Sequence, residues 1–337
     1  MSLIKRLTYT LTKRLAHNRL SKLLRETNAS PSRVIRFGPN DKFILFSDCH
    51  RGDNSWKDDY APNRNLHLSA LRHYLRRGFT YIELGDGDEL FEIKDFDAIA
   101  YAHRDIFYQM REFYCEPPSP EDMEAPRQPK SAPDFYMLYG NHDIQRRDPN
   151  VVRDQLHQFH IEYKGQDENM FPALEVHEGL ILRYEHASIT KDIFLVHGHQ
   201  GDWFNDYLWW FALATVRYIW GPLQQFVGWR DPTMPPKPYY IDKWGVQQRI
   251  MEWTAEQNQT LICGHTHHAH FPRPKDESHY FNTGSCVHPR AITGIEIQDG
   301  AISLIKWEMT PRAADGVLHI ERQVLVGPEP LVAYIRG

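Results

Sequence analysis

Five short signatures gather the residue types that bind metal ions: Asp48-Cys49-His50, Gly85-Asp86-Gly87-Asp88, Gly140-Asn141-His142-Asp143, His197-Gly198-His199 and Gly264-His265-Thr266-His267. Imidazole nitrogen suits zinc, iron and manganese, while carboxylate and amide oxygens suit harder cations. Asp48, His50, Asp86, Asn141, His197, His265 and His267 together exceed what one tetrahedral ion uses. They suffice for two ions sharing a carboxylate. Paired ions roughly 3.5–4 Å apart clamp the attacking and leaving oxygens of in-line displacements at phosphorus. A lone Asp or His near a strand end is an ordinary cap or surface group, so the signal lies in the whole ordered set.

Something must bring these residues to one place. Apolar runs precede the signatures at Phe43 to Phe46, Tyr81 to Leu84, Phe135 to Tyr139, Phe194 to Val196 and Leu261 to Cys263. Bounded by Gly and Asp, such runs predict buried strands. Open α/β sheets collect functional groups at the carboxyl ends of their strands, so the five ends are expected to meet at one pocket. Asp86 and Asp88 both follow a glycine, and either could supply the shared carboxylate; Asp86 is preferred because it stands nearer the end of its run. His197 likewise closes its run and is the preferred ligand, with His199 lining the pocket in contact with substrate.

The set resembles the calcineurin-like metallophosphoesterase superfamily, whose pattern is D-x-H, G-D-x-x, G-N-H-[DE], H-G or G-H, and G-H-x-H. The match runs over roughly residues 42–290, with Tyr280-Phe281-Asn282-Thr283-Gly284-Ser285 as a softer counterpart of a following N-x-G-S segment. The resemblance implies an α/β fold, a two-sheet β-sandwich flanked by helices in four αββα layers. It implies two divalent ions, manganese first and iron, zinc or magnesium as alternatives. Asp48, His50, Asp86 and His267 would hold one ion, and Asp86, Asn141, His197 and His265 the other. The reaction implied is hydrolysis of a phosphoester or pyrophosphate by a hydroxide shared between the ions. His142 reads as the general acid for the leaving oxygen, with Asp143 orienting it by accepting its second N–H. Arg51 directly follows a ligand and could fork onto a phosphoryl oxygen.

A weaker similarity points to the bacterial UDP-2,3-diacylglucosamine pyrophosphatases, through Glu89-Leu90-Phe91-Glu92 and an aromatic-rich insertion. The chain departs from them at His142, where they carry Arg, at His199, and in its N-terminal extension. Against protein phosphatases, the Asp-Arg-Gly ending of the second motif is missing. A non-catalytic metal-binding scaffold is the alternative of a different class.

The remaining composition sets bounds. With 337 residues, 41% hydrophobic and 25% charged, the chain can bury a large core. A net charge of −5 argues against a broadly basic nucleic-acid binder; the family resemblance implies a phosphorylated small-molecule or lipid-linked substrate as the expected partner. The four cysteines form no C-x-x-C pair and no secretory h-region opens the chain, so a reducing cytoplasm is expected and each Cys reads as a small buried hydrophobe. Residues 1–37 are expected as a basic helical extension to a domain over 38–330. The Leu3, Leu7, Leu11 and Leu15 stripe within residues 1–26 fits either a peripheral contact with an anionic membrane or docking on the protein itself. A proline-rich loop is expected over Cys115 to Asp134. Residues 203–257, too often interrupted by charge to span a membrane, are expected as a helical lid beside the pocket, ending in a helix near Ile241 to Glu256. Alternation around Gly294 to Glu308 and His319 to Val326 predicts antiparallel strands completing the second sheet.

Overall fold

The computed structural model describes residues 3–117, 126–161, 166–202, 245–312 and 316–335. It opens with helix α1 (Leu3–Asn28), then strands β1 (Val34–Phe37) and β2 (Phe43–Phe46), helix α2 (Arg64–Arg76) and β3 (Thr80–Leu84). Helices α3 (Phe96–Ala102) and α4 (Arg104–Tyr114) lead to β4 (Phe135–Leu138), the single-turn α5 (Pro149–Val152) and a hairpin of β5 (Gln158–Ile161) and β6 (Gln166–Asn169). Then follow β7 (Val176–His177), β8 (Gly179–His186), β9 (Ile189–Val196), helix α6 (Val246–Gln257), β10 (Thr260–Cys263), β11 (Tyr280–Asn282), β12 (Ala291–Gln298), β13 (Ala301–Pro311) and β14 (Leu318–Pro330).

Two sheets form. One has seven strands in the order β14-β13-β12-β2-β3-β4-β7, and the other five in the order β1-β8-β9-β10-β11. Strands β2, β3, β4 and β7 run parallel, as do β9, β10 and β11, so the strands that carry signatures end on the same side within each sheet. The side-chain period of two then explains the layers. Phe43 and Leu45 of β2 point into the core between the sheets, with Ile82 and Leu84 of β3, Leu180 and Leu182 of β8, and Ile262 of β10. The alternate residues Ile44 and Phe46 pack outward against Leu71, Phe107 and Met110 of the helices. Buried on both faces, such strands read as unbroken apolar runs. The outer face of the five-stranded sheet is covered by α1 and α6, through Leu20, Leu23, Ile250 and Trp253 over Ile181, Phe194 and Leu261. The result is the four-layer αββα sandwich.

Two sequence expectations change in detail. Strands β12 to β14 are antiparallel as anticipated, but β12 pairs with β2, so they widen the first sheet rather than complete the second. Helix α1 is in its second half an outer layer of the sandwich rather than an appendage. It docks through Ala16, Leu20, Leu23 and Thr27, with the Trp253 Nε1–H donating to Ser21 Oγ at 2.9 Å and Lys13 paired to Glu252 at 2.7 Å. Leu11 of the anticipated stripe is instead 61% exposed. The lid expected over 203–257 lies outside the described residues as far as 244, and its final helix, α6, packs on the sheet. The proline-rich loop likewise lies outside them over 118–125; its described ends are bridged by Cys115 and Pro129. No described helix is long and apolar enough to cross a membrane.

Replacing Leu20 by Ala empties a fully buried position between α1 and the sheet and is expected to cost about 2–5 kcal/mol in denaturant unfolding. Leu11→Ala, on the exposed face, is expected to change stability by less than ~0.5 kcal/mol.

Candidate metal centre

The loops that leave β2 and β3 are laced together by main-chain bonds. The N–H groups of Asp48, His50 and Arg51 donate to the carbonyls of Gly85, Asp86 and Gly87 at 3.1, 2.9 and 3.0 Å. Across the sandwich edge the loop after β10 closes on them, where the His265 N–H donates to Asp48 Oδ2 at 2.9 Å. The glycines permit the closeness. A Cβ on Gly140 would collide with Asp86 Oδ1, and one on Gly264 would collide with Asp48 Oδ2. The backbone is also held in a sparsely populated region: Asp48, His50, Asp86, His265 and His267 take φ of 51, 48, 49, 70 and 55°. Left-handed conformations at residues other than glycine cost about 1–3 kcal/mol each and gather at functional sites. Five of the seven candidate ligands adopt them.

Two clusters result. Asp48, His50 and His267 offer ligand atoms all within 4.8 Å of one another, and so do Asp86, His197 and His265. In the first, His267 Nε2 lies 3.2 Å from both Asp48 Oδ1 and His50 Nε2. In the second, His197 Nε2 lies 3.1 Å from Asp86 Oδ2. That same Oδ2 is 3.8 Å from His50 Nε2, which places the Asp86 carboxylate between the clusters. Asn141 is buried beside them, and its Oδ1 has no hydrogen-bond partner among the described residues.

The electrostatics ask for positive charge. Burial raises the Asp86 carboxyl, but His197, His142 and His50 more than offset it and hold it well below the usual carboxylate range. Burial likewise opposes ionisation of Asp48, yet His267 and His197 hold it down to about 2. In return Asp86 and Asp48 overcome burial and lift the His197 imidazole to about 9. Two ionised carboxylates and a charged imidazole in one dry pocket mean that protons occupy a place suited to cations. Oxygen and imidazole donors at these separations, with an idle amide oxygen, are a donor set that could hold metal.

Other expected site residues are placed differently. His142 donates its backbone N–H to Asp86 Oδ1 at 2.8 Å, and its ring stacks on Phe91 with centroids 4.6 Å apart. Its Nδ1 meets Glu89, not Asp143, at 2.8 and 2.9 Å. Glu89 also takes His50 Nδ1 at 2.9 Å, so one carboxylate orients a candidate ligand and the candidate acid together. Nothing in the spacing of Glu89 announced that role; it is an acid one residue beyond a metal signature, and only the fold turns it back. Asp143 is instead a brace, accepting from the N–H of Gly140 at 2.6 Å and of Gly87 at 3.0 Å; burial raises its carboxyl to about 6.

Arg51 requires a plain correction. It is 0% exposed, and its guanidinium is taken up by Glu83 at 2.7 and 2.8 Å and by Asp88 at 2.6 Å, so it turns into the core rather than toward the cleft. Asp88, the other candidate for the shared carboxylate, is equally occupied, between Arg51 and Arg146. His199 is buried beside His197 and Tyr139, where burial and then His197 and His265 keep its imidazole neutral. A cleft of about 310 Å³ opens beside the first cluster, lined by His50, Glu89 and His267 and by Asp53, Trp56 and Lys57 of the loop after β2.

No protein-family model and no curated protein matches the chain. Among solved structures it is similar to Vacuolar Protein Sorting 29 from Cryptosporidium parvum, at 12% identity over 85% of this chain and 98% of that one, with a TM-score of 0.32. It is similar to a zinc-complexed Vps29 from Entamoeba histolytica at 12% identity, 84% and 98% coverage and a TM-score of 0.31. A point mutant of a cold-active protein tyrosine phosphatase aligns at 12% identity, 87% and 82% coverage and a TM-score of 0.38. The superpositions are shallow, and the chemistry of the site rests on its own residues.

Arg51→Met would strand Glu83 and Asp88 as buried charges and is expected to cost about 3–5 kcal/mol in urea unfolding while leaving KM unchanged. A stable variant with a raised KM would return Arg51 to the substrate.

Proposed function

We propose that the chain is a metal-dependent hydrolase of the calcineurin-like metallophosphoesterase type, cleaving a phosphoester or pyrophosphate bond. The observation that carries this reading is the burial of Asp86 between two Asp/His clusters, each compact enough to hold one ion. Asp48, His50, Asp86 and His267 would hold the first ion, and Asp86, Asn141, His197 and His265 the second, with manganese the expected metal. When bound, such a pair supplies charge stabilisation at the phosphoryl group and a water acidic enough to react at neutral pH.

The chain's own residues supply the rest. Strand ends and left-handed loops fix the ligands before substrate arrives, so little reorganisation remains for the reaction itself. Glu89 on Nδ1 of His142 fixes the tautomer and ring direction. Nε2 of His142 is then the atom that delivers a proton to the departing oxygen. Phe91, stacked on the ring, keeps that aim. The cleft beside His50 and His267 takes the organic portion of a phosphorylated small-molecule or lipid-linked substrate.

With Mn²⁺ added, hydrolysis of bis-p-nitrophenyl phosphate is expected in the wild type and not in Asp86→Ala; equal rates in both would reject catalysis at this centre. His142→Gln is expected to keep its metal content and lose about 10²–10⁴-fold in kcat on an alkyl phosphoester, whose leaving oxygen needs a proton. The loss should be much smaller with p-nitrophenolate as leaving group. Glu89→Gln is expected to lower kcat in the same leaving-group-dependent way, and an unchanged rate would remove it from the mechanism.

A further inference from the structure

Cys49, His67 and Cys286 come from three separate elements and meet beneath the metal centre, in the layer between the seven-stranded sheet and its helices. Cys49 stands between Asp48 and His50, His67 lies on α2, and Cys286 precedes β12. One ligand atom from each lies within 4.8 Å of the other two, and all three residues are 0% exposed. Neither thiol is in a disulfide. The rings of Phe46, Tyr60 and Tyr81 surround the imidazole edge-on.

The imidazole gives the second, independent sign. His67 Nδ1 is 2.8 Å from the Tyr60 hydroxyl, while its buried Nε2 has no hydrogen-bond partner among the described residues. With Nδ1–H donated to Tyr60, Nε2 keeps a bare lone pair. Burial, then the charge of Arg51, holds this ring neutral, down to about 3, and neutral imidazole is the form that ligates metals. Metal-bound histidines are commonly oriented by an acceptor on the far ring N–H, a place the Tyr60 hydroxyl can take here.

We propose that Cys49 Sγ, Cys286 Sγ and His67 Nε2 form a further metal site for a thiophilic cation, zinc or copper(I), distinct from the Asp/His centre above it. Two sulfurs and one imidazole select these ions over manganese or magnesium. The site is closed to solvent, so its ion enters as the chain folds. Its effect would be mechanical: Cys49 is flanked by two left-handed ligand residues, and the Cys286 N–H donates to the Asp48 carbonyl at 3.2 Å. An ion there ties both to α2.

The test uses the full chain, produced in medium containing zinc and copper and purified without added metal. X-ray absorption at the zinc and copper edges should show a sulfur shell at about 2.3 Å. The Asp/His centre cannot give one, because its donors are nitrogen and oxygen. One equivalent of that metal, with its sulfur signal, should vanish in Cys286→Ala and in His67→Gln and persist in Asp86→Ala. Purely nitrogen and oxygen scattering in the wild type would overturn the proposal, whether or not the core variants fold. So would thiol titration after unreduced denaturation that finds two of the four cysteines missing, which would mark a Cys49–Cys286 disulfide.

Discussion

The carboxylate of Asp86 is the point on which the rest of the site turns. It is buried, reaches toward an imidazole of each cluster, and receives the His142 N–H on its other oxygen. An ionised group in so dry a place is tolerable only where positive charge surrounds it. The fold supplies that surrounding from both sheets at once. Strands β2, β3 and β4 deliver Asp48, His50, Asp86 and Asn141, and β9 and β10 deliver His197, His265 and His267 from across the sandwich. Any slip between the sheets would separate the two halves. The inter-sheet core of Leu45, Ile82, Leu195 and Ile262 therefore serves the chemistry as directly as the ligands do.

A second set of buried charges supports the first from below. Glu83, Arg51, Asp88 and Arg146 form a buried chain of ion pairs behind the loops after β2 and β3. Such a chain adds little net stability over an apolar core, but removing one member leaves the others stranded. Its use here is positional. It fixes the loops whose left-handed residues aim the ligands, and the Tyr81 hydroxyl, donating to Glu83 at 2.8 Å, ties the chain to β3. Asp143 performs the matching task between the loops after β3 and β4. Strain at the ligands is thus held in place by bonds that face away from the cleft.

The ligand-bearing strand ends could be read from the sequence because they follow from local rules, whereas the four layers were what the family resemblance implied. Apolar runs of strand length, closed by Gly and Asp, locate β2, β3, β4, β9 and β10 without reference to any other part of the chain. What could not be read is where long polar side chains reach. Arg51 looks like a phosphate contact because it follows His50, yet its guanidinium turns inward to Glu83, a residue inside an apolar strand. Glu89 stands in the sequence only as part of the Glu89-Leu90-Phe91-Glu92 segment, and in the fold it holds two imidazoles. Helix α1 shows the same limit for apolar residues: leucines recur throughout it, and only the shape of the sheet decides that Leu20 and Leu23 dock while Leu11 faces outward. The pairing of β12 with β2, rather than with the second sheet, is a long-range choice that alternation alone cannot express.

The most direct measurement is anomalous diffraction from crystals of the full chain grown with Mn²⁺. Two anomalous peaks roughly 3.5–4 Å apart, with one oxygen or both of Asp86 joining them and the two Asp/His clusters on either side, are the predicted result. A single peak, or none within reach of Asp86, would contradict the account.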